Sequence, residues 1–241
     1  MKLRYTLAII AVLVLIVGVS WAALIPAGKL IVWGWSDNGA YWAFAEQGDY
    51  SGGGLAGEEV HAFVIDAAKN DFHLKQEGRF TEDRGYEEEA QIKKAVTAFK
   101  KEMKKKLRAL GVRGKMGREV YKKKTADWVD HDMVIRQYGQ RKFSFKHQGN
   151  SYDVALTVKK EGDDPAMTTK SGFTVRIRKA GAPWKTLQAD KTLWRTFREY
   201  RLVYASVAPT GDKIALVVEA VQTGFEGAQI VHYKGVTGAL P

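Results

Sequence analysis

The chain has 241 residues, a hydrophobic content of 45% and a formal net charge of +11. This length is sufficient for one sizeable core or two small ones, and the hydrophobic content excludes an intrinsically disordered protein. The sequence contains no cysteine. A disulfide framework, a thiolate nucleophile and a cysteine zinc site are therefore excluded.

The first 25 residues predict an export signal or a membrane anchor. Lys2 and Arg4 precede an uninterrupted apolar run from Tyr5 to Ile25. A small-x-small site ending at Ala22 favours a signal peptide that is cut there. The run is also about 20 residues long, which is enough to span a bilayer and to anchor the chain in the inner membrane. Both interpretations place residues 26–241 outside the cytoplasm, in the periplasm or secreted, as a single β-rich domain.

The domain begins with a predicted β-hairpin. Lys29–Trp35 and Ala40–Glu46 have strand composition, and Asp37-Asn38-Gly39 between them suits a tight turn. Gln47–Glu59 contains five glycines, so we expect a mobile loop without regular structure. A third strand is predicted at His61–Asp66.

A long helix is predicted from Glu87 to Leu110. Its apolar residues recur at steps of three or four, which places them on one helical face. Glutamates at the start and basic residues at the end complement the helix dipole, and Gly111 is suited to a left-handed cap. The apolar positions are Ile92, Val96, Phe99, Met103, Leu107 and Leu110.

The second half predicts an antiparallel sheet assembly. Tyr152–Lys159 alternates apolar and polar residues, as expected for a strand that buries one face. Gly149-Asn150 and Thr210-Gly211-Asp212 are predicted hairpin turns. The stretch after Gly117 remains ambiguous between helix and strand. The other predicted strands are Lys142–Lys146, Phe173–Arg178, Glu199–Val207, Ile214–Ala220 and Gln229–Val236.

Two short motifs resemble the blade starts of TolB-like β-propellers. The first is Ser36-Asp37-Asn38-Gly39 followed by Trp42-Ala43-Phe44, and the second is Val207–Gly211 followed by Ile214-Ala215. Their separation far exceeds the roughly 40–45 residues of a tandem blade, so a complete propeller is not expected.

The chain as a whole resembles a family of bacterial predicted secreted proteins of unknown function. The resemblance rests on "WSDNGAYWAFAEQG", "AFVID", the charged helix, "PTGDKIALVV" and "GFEG". It implies location and architecture, and it supplies no catalytic residue.

The basic helix is the leading candidate for a contact surface. Between Gln91 and Lys124 the sequence has fourteen Lys or Arg and two Glu, so an electrostatic partner should meet this segment. The helix either docks on anionic lipid, another envelope polymer or a protein, or its apolar stripe only packs on the sheet while its cations face water. Export argues against nucleic acid. The candidate residues are Lys93, Lys94, Lys100, Lys101, Lys104, Lys105 and Arg108.

A second candidate is a ligand loop that combines Asp49 with the glycine run Gly52, Gly53 and Gly54, and with Glu226 in a glycine-flanked turn. The run lacks the Lys and Ser/Thr that follow in a phosphate-binding loop. Turn geometry alone also explains Glu226.

No motif predicts a metal, a cofactor or a catalytic residue. Asp127, Asp130, His131 and Asp132 lie close together, but their spacing matches neither a zinc-protease helix nor an EF-hand loop. The four other histidines, His61, His73, His147 and His232, are scattered, so only a fold could bring them together.

The sequence therefore predicts a mostly β fold with one long α-helix, in which blade-like antiparallel hairpins form an incomplete propeller or a sandwich. The expected function is an exported, non-enzymatic binding or scaffolding module of the cell envelope. An extracytoplasmic hydrolase is the alternative, and a cleft holding Asp49, Glu226 or His131 together would support it.

Overall fold

The computed structural model describes residues 28–49, 57–86, 88–114, 117–123, 141–162, 170–194, 197–223 and 229–241. Within these ranges the chain forms three antiparallel four-stranded sheets and one long α-helix. None of the sheets closes into a barrel. The predicted mostly β fold is confirmed, and its sheets stack face to face as in a sandwich.

The first sheet is a meander in the order β1-β2-β3-β4. Its strands are β1 (Lys29–Trp35), β2 (Tyr41–Asp49), β3 (Gly57–Asp66) and β4 (Asp71–Thr81). The predicted turn is present, because Gly39 N–H donates to Ser36 O at 2.9 Å and Gly39 has a φ of 64°.

The predicted glycine loop is shorter than expected. Gly48 lies inside β2, and Gly57 begins β3 opposite Thr81 of β4. A Cβ atom on Gly57 would lie 2.5 Å from Thr81 Cγ2 and 2.6 Å from Phe80 O. Glycine is therefore required here by the close approach of a neighbouring strand, which local propensity does not reveal.

The helix α1 (Glu89–Ala109) packs on the outer face of the first sheet. Its ends differ by one or two residues from the predicted ones. Gly111 has a φ of 76°, and Val112 N–H donates to Leu107 O at 2.9 Å, as in a Schellman cap. The buried stripe is the predicted one, with Ile92, Val96, Phe99, Met103 and Leu107.

The second sheet has the order β6-β7-β8-β9. Three of its strands were predicted: β6 (Lys142–His147), β7 (Asn150–Glu161) and β8 (Lys170–Lys179). The edge strand β9 (Lys185–Ala189) was not. The β6–β7 turn lies one residue earlier than predicted, because Gln148 and Gly149 have positive φ angles and Asn150 is already extended.

The third sheet has the order β12-β11-β10-β5 and lies between the other two. Its strands are β5 (Arg118–Lys122), β10 (Phe197–Val207), β11 (Lys213–Thr223) and β12 (Gln229–Ala239). Leu216 and Val218 pack towards the second sheet, and Ala215 and Val217 pack towards the first. The chain thus stacks in four layers: helix, first sheet, third sheet and second sheet.

The two blade-like motifs contact each other across the first and third sheets. Trp35 Nε1 donates to Ser206 Oγ at 3.0 Å, and Lys213 Nζ donates to Gly39 O at 3.1 Å. A Cβ atom on Gly39 would lie 2.7 Å from Thr210 Oγ1. The motifs therefore join two stacked sheets.

Candidate binding sites

The solvent-facing side of α1 carries most of the predicted cations. Because successive residues turn by about 100°, Lys94, Lys101, Lys105 and Arg108 lie opposite the buried stripe, and Lys104 lies beside them. All five side chains are exposed. They form no ion pair or hydrogen bond with the described residues, and we call them the outward cationic face.

Two of the predicted cations are engaged by neighbouring side chains. Lys93 forms an ion pair with Glu89 one helical turn away. Lys100 is half-buried, and its Nζ donates to Gln47 Oε1 of β2 at 2.6 Å. Burial lowers the pKa of Lys100. Lys100 therefore connects the helix to the first sheet and is not part of the outward cationic face, while its role in binding an anionic surface stays a prediction.

Of the predicted ligand loop, only Asp49 is among the described residues. The other four residues, Gly52, Gly53, Gly54 and Glu226, lie outside them. The backbone of Asp49 ends β2 and pairs with Glu58. A Cβ atom on Gly28 would lie 3.6 Å from Gln47 O and 3.7 Å from Val231 O. The end of β2 and the start of β12, which lead into the two halves of this predicted site, are therefore close in space.

A cleft of about 540 Å³ lies where the three sheets meet. The first sheet contributes Glu46, His61 and Phe63 with the β3–β4 turn, the second contributes Phe173, Gln188 and Asp190, and the third contributes Phe197 and His232–Val236. Its volume falls in the roughly 300–1,000 Å³ range of small-molecule sites. The sequence did not reveal this cleft, because its lining spans residues 46–236.

The polar side of the cleft centres on Glu46, whose side chain is only 12% exposed. Glu46 Oε2 accepts a hydrogen bond from Tyr233 N–H at 2.9 Å, and Oε1 lies 3.7 Å from His232 Nδ1. The His232 ring packs edge-on against Phe197 with centroids 5.8 Å apart. Glu46 thereby ties the first sheet to the third.

The fold brings together two of the four scattered histidines. His61 and His232 line the same cleft. His73 packs against the Tyr41 ring with centroids 4.6 Å apart, and His147 Nε2 lies 3.1 Å from Gly211 O. The latter two therefore have structural contacts away from the cleft.

Glu59, His61 and Glu77 form a cluster of potential metal ligands on β3 and β4, with ligand atoms within 4.8 Å of one another. The guanidinium of Arg79 occupies the same place. It donates to Glu59 Oε1 through Nε at 3.2 Å and Nη2 at 3.0 Å, and Nη2 lies 3.9 Å from Glu77 Oε1. A metal ion would have to displace this cation, so the cluster is explained by ion pairing.

The Asp127–Asp132 group and His131 lie outside the described residues, and so does the Glu226 that the hydrolase alternative would need. Within the described residues, no helix has the length and hydropathy required to cross a membrane.

A family model described as "Predicted secreted protein (DUF2259)" matches residues 43–233. The chain belongs to this family. The DUF2259 match extends from β2 into β12, so it includes α1 and strands of all three sheets, while β1 lies before it. Its description agrees with the export predicted from the N-terminal segment and supports an extracytoplasmic location. Comparison with curated proteins and with solved structures finds no match.

Proposed function

We propose that this DUF2259 protein is a non-enzymatic binding module of the cell envelope that docks on anionic lipid through the outward cationic face of α1. The observation that carries the proposal is that the two faces of this helix have different surroundings. Its apolar stripe is buried against the first sheet, while Lys94, Lys101, Lys104, Lys105 and Arg108 face solvent without a direct ion pair to any described residue.

The burial of the stripe determines how the helix would bind. An amphipathic helix that inserts into lipid needs a free apolar face, and here Phe99 and Met103 are 8% and 0% exposed. Docking would therefore be electrostatic and peripheral. Each Lys or Arg near an anionic surface contributes about 1 kcal/mol, so five together are sufficient for measurable, salt-sensitive binding.

The test is co-sedimentation of the exported protein with phosphatidylglycerol-containing vesicles and with neutral phosphatidylcholine vesicles, at low and high salt. We expect binding only to the anionic vesicles, and we expect it to weaken with salt because exposed charges are screened. Replacing Lys94, Lys101, Lys105 and Arg108 with Gln should remove about 4 kcal/mol of binding free energy.

The matched control replaces Lys142, Lys146, Lys179 and Lys191 with Gln, which lowers the net charge equally on exposed parts of the second sheet and its edge. This variant should keep most of the binding. An equal loss in both variants would mean that only net charge matters, and absence of vesicle binding would contradict the proposal. Binding of a soluble anionic envelope polymer without vesicle binding would replace lipid by that polymer.

A further inference from the structure

The carboxylates that line the cleft already have hydrogen-bond donors. Glu46 accepts from Tyr233 N–H at 2.9 Å, and Asp71 Oδ1 accepts from Phe72 N–H at 2.7 Å. Asp190 accepts from Phe173 N–H at 3.2 Å and from Gln188 Nε2 at 3.4 Å. The acidic groups of the cleft are thus occupied by the protein itself.

The cationic side chains of the cleft have no such partners. Lys234 Nζ lies 4.7 Å from the centre of the Phe197 ring, and Lys75 Nζ lies 5.9 Å from that of Phe63. Neither ammonium has a hydrogen-bond acceptor among the described residues. Burial lowers the pKa of Lys234, although Asp190 and Glu46 favour its charged form. Neither carboxylate accepts a hydrogen bond from the Lys234 ammonium.

The backbone adds a further free donor beside Lys234. Residues of an antiparallel strand alternately face their partner strand and the opposite side. The N–H groups of Tyr233 and Thr237 point away from β11, because they donate to Glu46 and to Asn70 Oδ1. By the same alternation, the Gly235 N–H between them points to the free edge of β12, and Gly235 lines the cleft.

The other walls of the cleft are apolar. Phe63, Phe72 and Phe197 all line it. Phe72 is 53% exposed, and its ring is tilted against that of Phe63 with centroids 5.4 Å apart. An exposed aromatic ring beside a cleft can gain free energy by covering a ligand. The free donors and the aromatic walls together indicate which chemical class of ligand the cleft fits.

We propose that the cleft binds a small organic anion, with its carboxylate or sulfonate at the Lys234 ammonium and its apolar body against the phenylalanine rings. An anion supplies the acceptors that Lys234 and Gly235 lack, whereas a cationic ligand would meet carboxylates that are already hydrogen-bonded and an ammonium group that has no hydrogen-bond acceptor among the described residues. A cleft of about 540 Å³ also exceeds what an inorganic ion fills. This site is separate from the lipid contact of α1.

The experiment compares two fluorescent probes that share one aromatic framework. The anion 8-anilinonaphthalene-1-sulfonate carries a sulfonate, and neutral N-phenyl-1-naphthylamine does not. We expect the Lys234→Met substitution to weaken the affinity for the anionic probe roughly 10–100-fold, since hydrogen bonds to charged groups contribute that much. Binding of the neutral probe should be unchanged, and decanoate should displace the anionic probe from the wild-type protein.

The matched control is Lys146→Met, which removes one charge from an exposed position of β6 outside the cleft lining and should leave both affinities unchanged. Equal weakening by the two substitutions, or loss of the neutral probe together with the anion in a folded Lys234→Met variant, would overturn the proposal. Failure of decanoate to displace the probe from the wild-type protein would do the same.

Because Lys234 is half-buried, its variant can fail to fold, so Phe72→Ser provides an independent test at an exposed position. This substitution removes the ring at the cleft and should weaken both probes about equally. Unchanged affinity for both probes would show that they bind elsewhere and would contradict the proposed site.

Discussion

Gly235 shows how closely β12 packs against the first sheet. A Cβ atom at this position would lie 2.5 Å from Ile65 Cδ1, 2.7 Å from Phe44 Cε1 and 3.1 Å from Trp42 Cζ3. These three side chains are at most 2% exposed, so they have little room to move. The absence of a side chain at residue 235 therefore sets the distance between the first and third sheets at this point.

We predict that Gly235→Ala lowers the free energy of unfolding by about 1–3 kcal/mol, because an added methyl group overpacks this contact. Urea denaturation measures the change. Gly48→Ala is the matched control, since its Cβ would meet Gly28 Cα at an ordinary 3.4 Å, and it should be neutral or slightly stabilising. An equal loss in the two variants would contradict the packing argument.

Single residues were predicted correctly where their role is local. Gly39 and Gly111 adopt the positive φ angles that their turn and cap contexts indicated. The sequence did not reveal the contact of Lys100 with Gln47 or the crowding of Gly57 by Thr81, because these neighbours lie in distant parts of the chain. Sequence pattern at one position carries no information about such neighbours.

At the scale of elements, the end of α1 is fixed by both a cap and a tertiary contact. Gly111 O accepts a hydrogen bond from Asp37 N–H at 3.2 Å, and Val112 forms a bridge with Ser36. The helix terminus is thus joined to the β1–β2 turn. The orientation of the outward cationic face depends on this junction.

We predict that Gly111→Ala costs about 1–2 kcal/mol, the penalty of a left-handed residue that bears a Cβ. There is space for the atom, since the nearest neighbour would be Ser36 Cβ at 3.7 Å. Gly111→Asn should cost less, because Asn tolerates this conformation. Thermal unfolding measures the stability of the two variants. A larger loss of stability for Gly111→Asn than for Gly111→Ala would contradict the capping explanation.

The strands that sequence predicted share a clear burial pattern. In β6, Phe143, Phe145 and His147 alternate with exposed residues, as the composition indicated. The two strands that were missed, β4 and β9, lie at sheet edges and are mostly exposed or half-buried. In β4 the alternation reaches only half-buried positions, two of which are Gln76 and Gly78, and β9 has only two apolar residues. The sequence signal of burial is therefore weak, and hydrogen bonds to one neighbouring strand hold both strands extended.

At the scale of the whole molecule, the third sheet couples two cores. Its residues pack against the second sheet on one side and against the first on the other. Neither outer sheet can lose its packing without exposing a face of the third. We therefore expect the sheets to unfold together.

We predict that Ile177→Ala, in the second sheet, lowers the stability of the first sheet by the same amount, about 2–5 kcal/mol. Ile177 is fully buried. Trp35 and Trp42 report on the first sheet by fluorescence once Trp184 and Trp194, which contact β8 of the second sheet, are replaced by Phe in all variants. Urea midpoints from tryptophan fluorescence and from far-UV circular dichroism should shift together. Thr186→Ala on exposed β9 is the control and should change little. Divergent midpoints would mean that the layers unfold independently.

The candidate sites illustrate which parts of a function sequence can reveal. The cationic face lies within one helix, so a 3.6-residue period was sufficient to predict it. The cleft combines Glu46, Asp190 and Lys234 from three sheets. Each of these residues is unremarkable within its own segment, and only the stacking order of the layers brings them together.

The hydrogen bonds from Tyr233 and Thr237 to Glu46 and Asn70 have a consequence for self-assembly. A strand with an open edge can recruit the same strand of another molecule and so begin a fibril. Between Tyr233 and Thr237, acceptor side chains from the first sheet cover two of the three outward N–H groups of β12, so a continuous ladder cannot form over this part of the edge. The protein can therefore expose a polar backbone group in its cleft and still resist strand addition at that place.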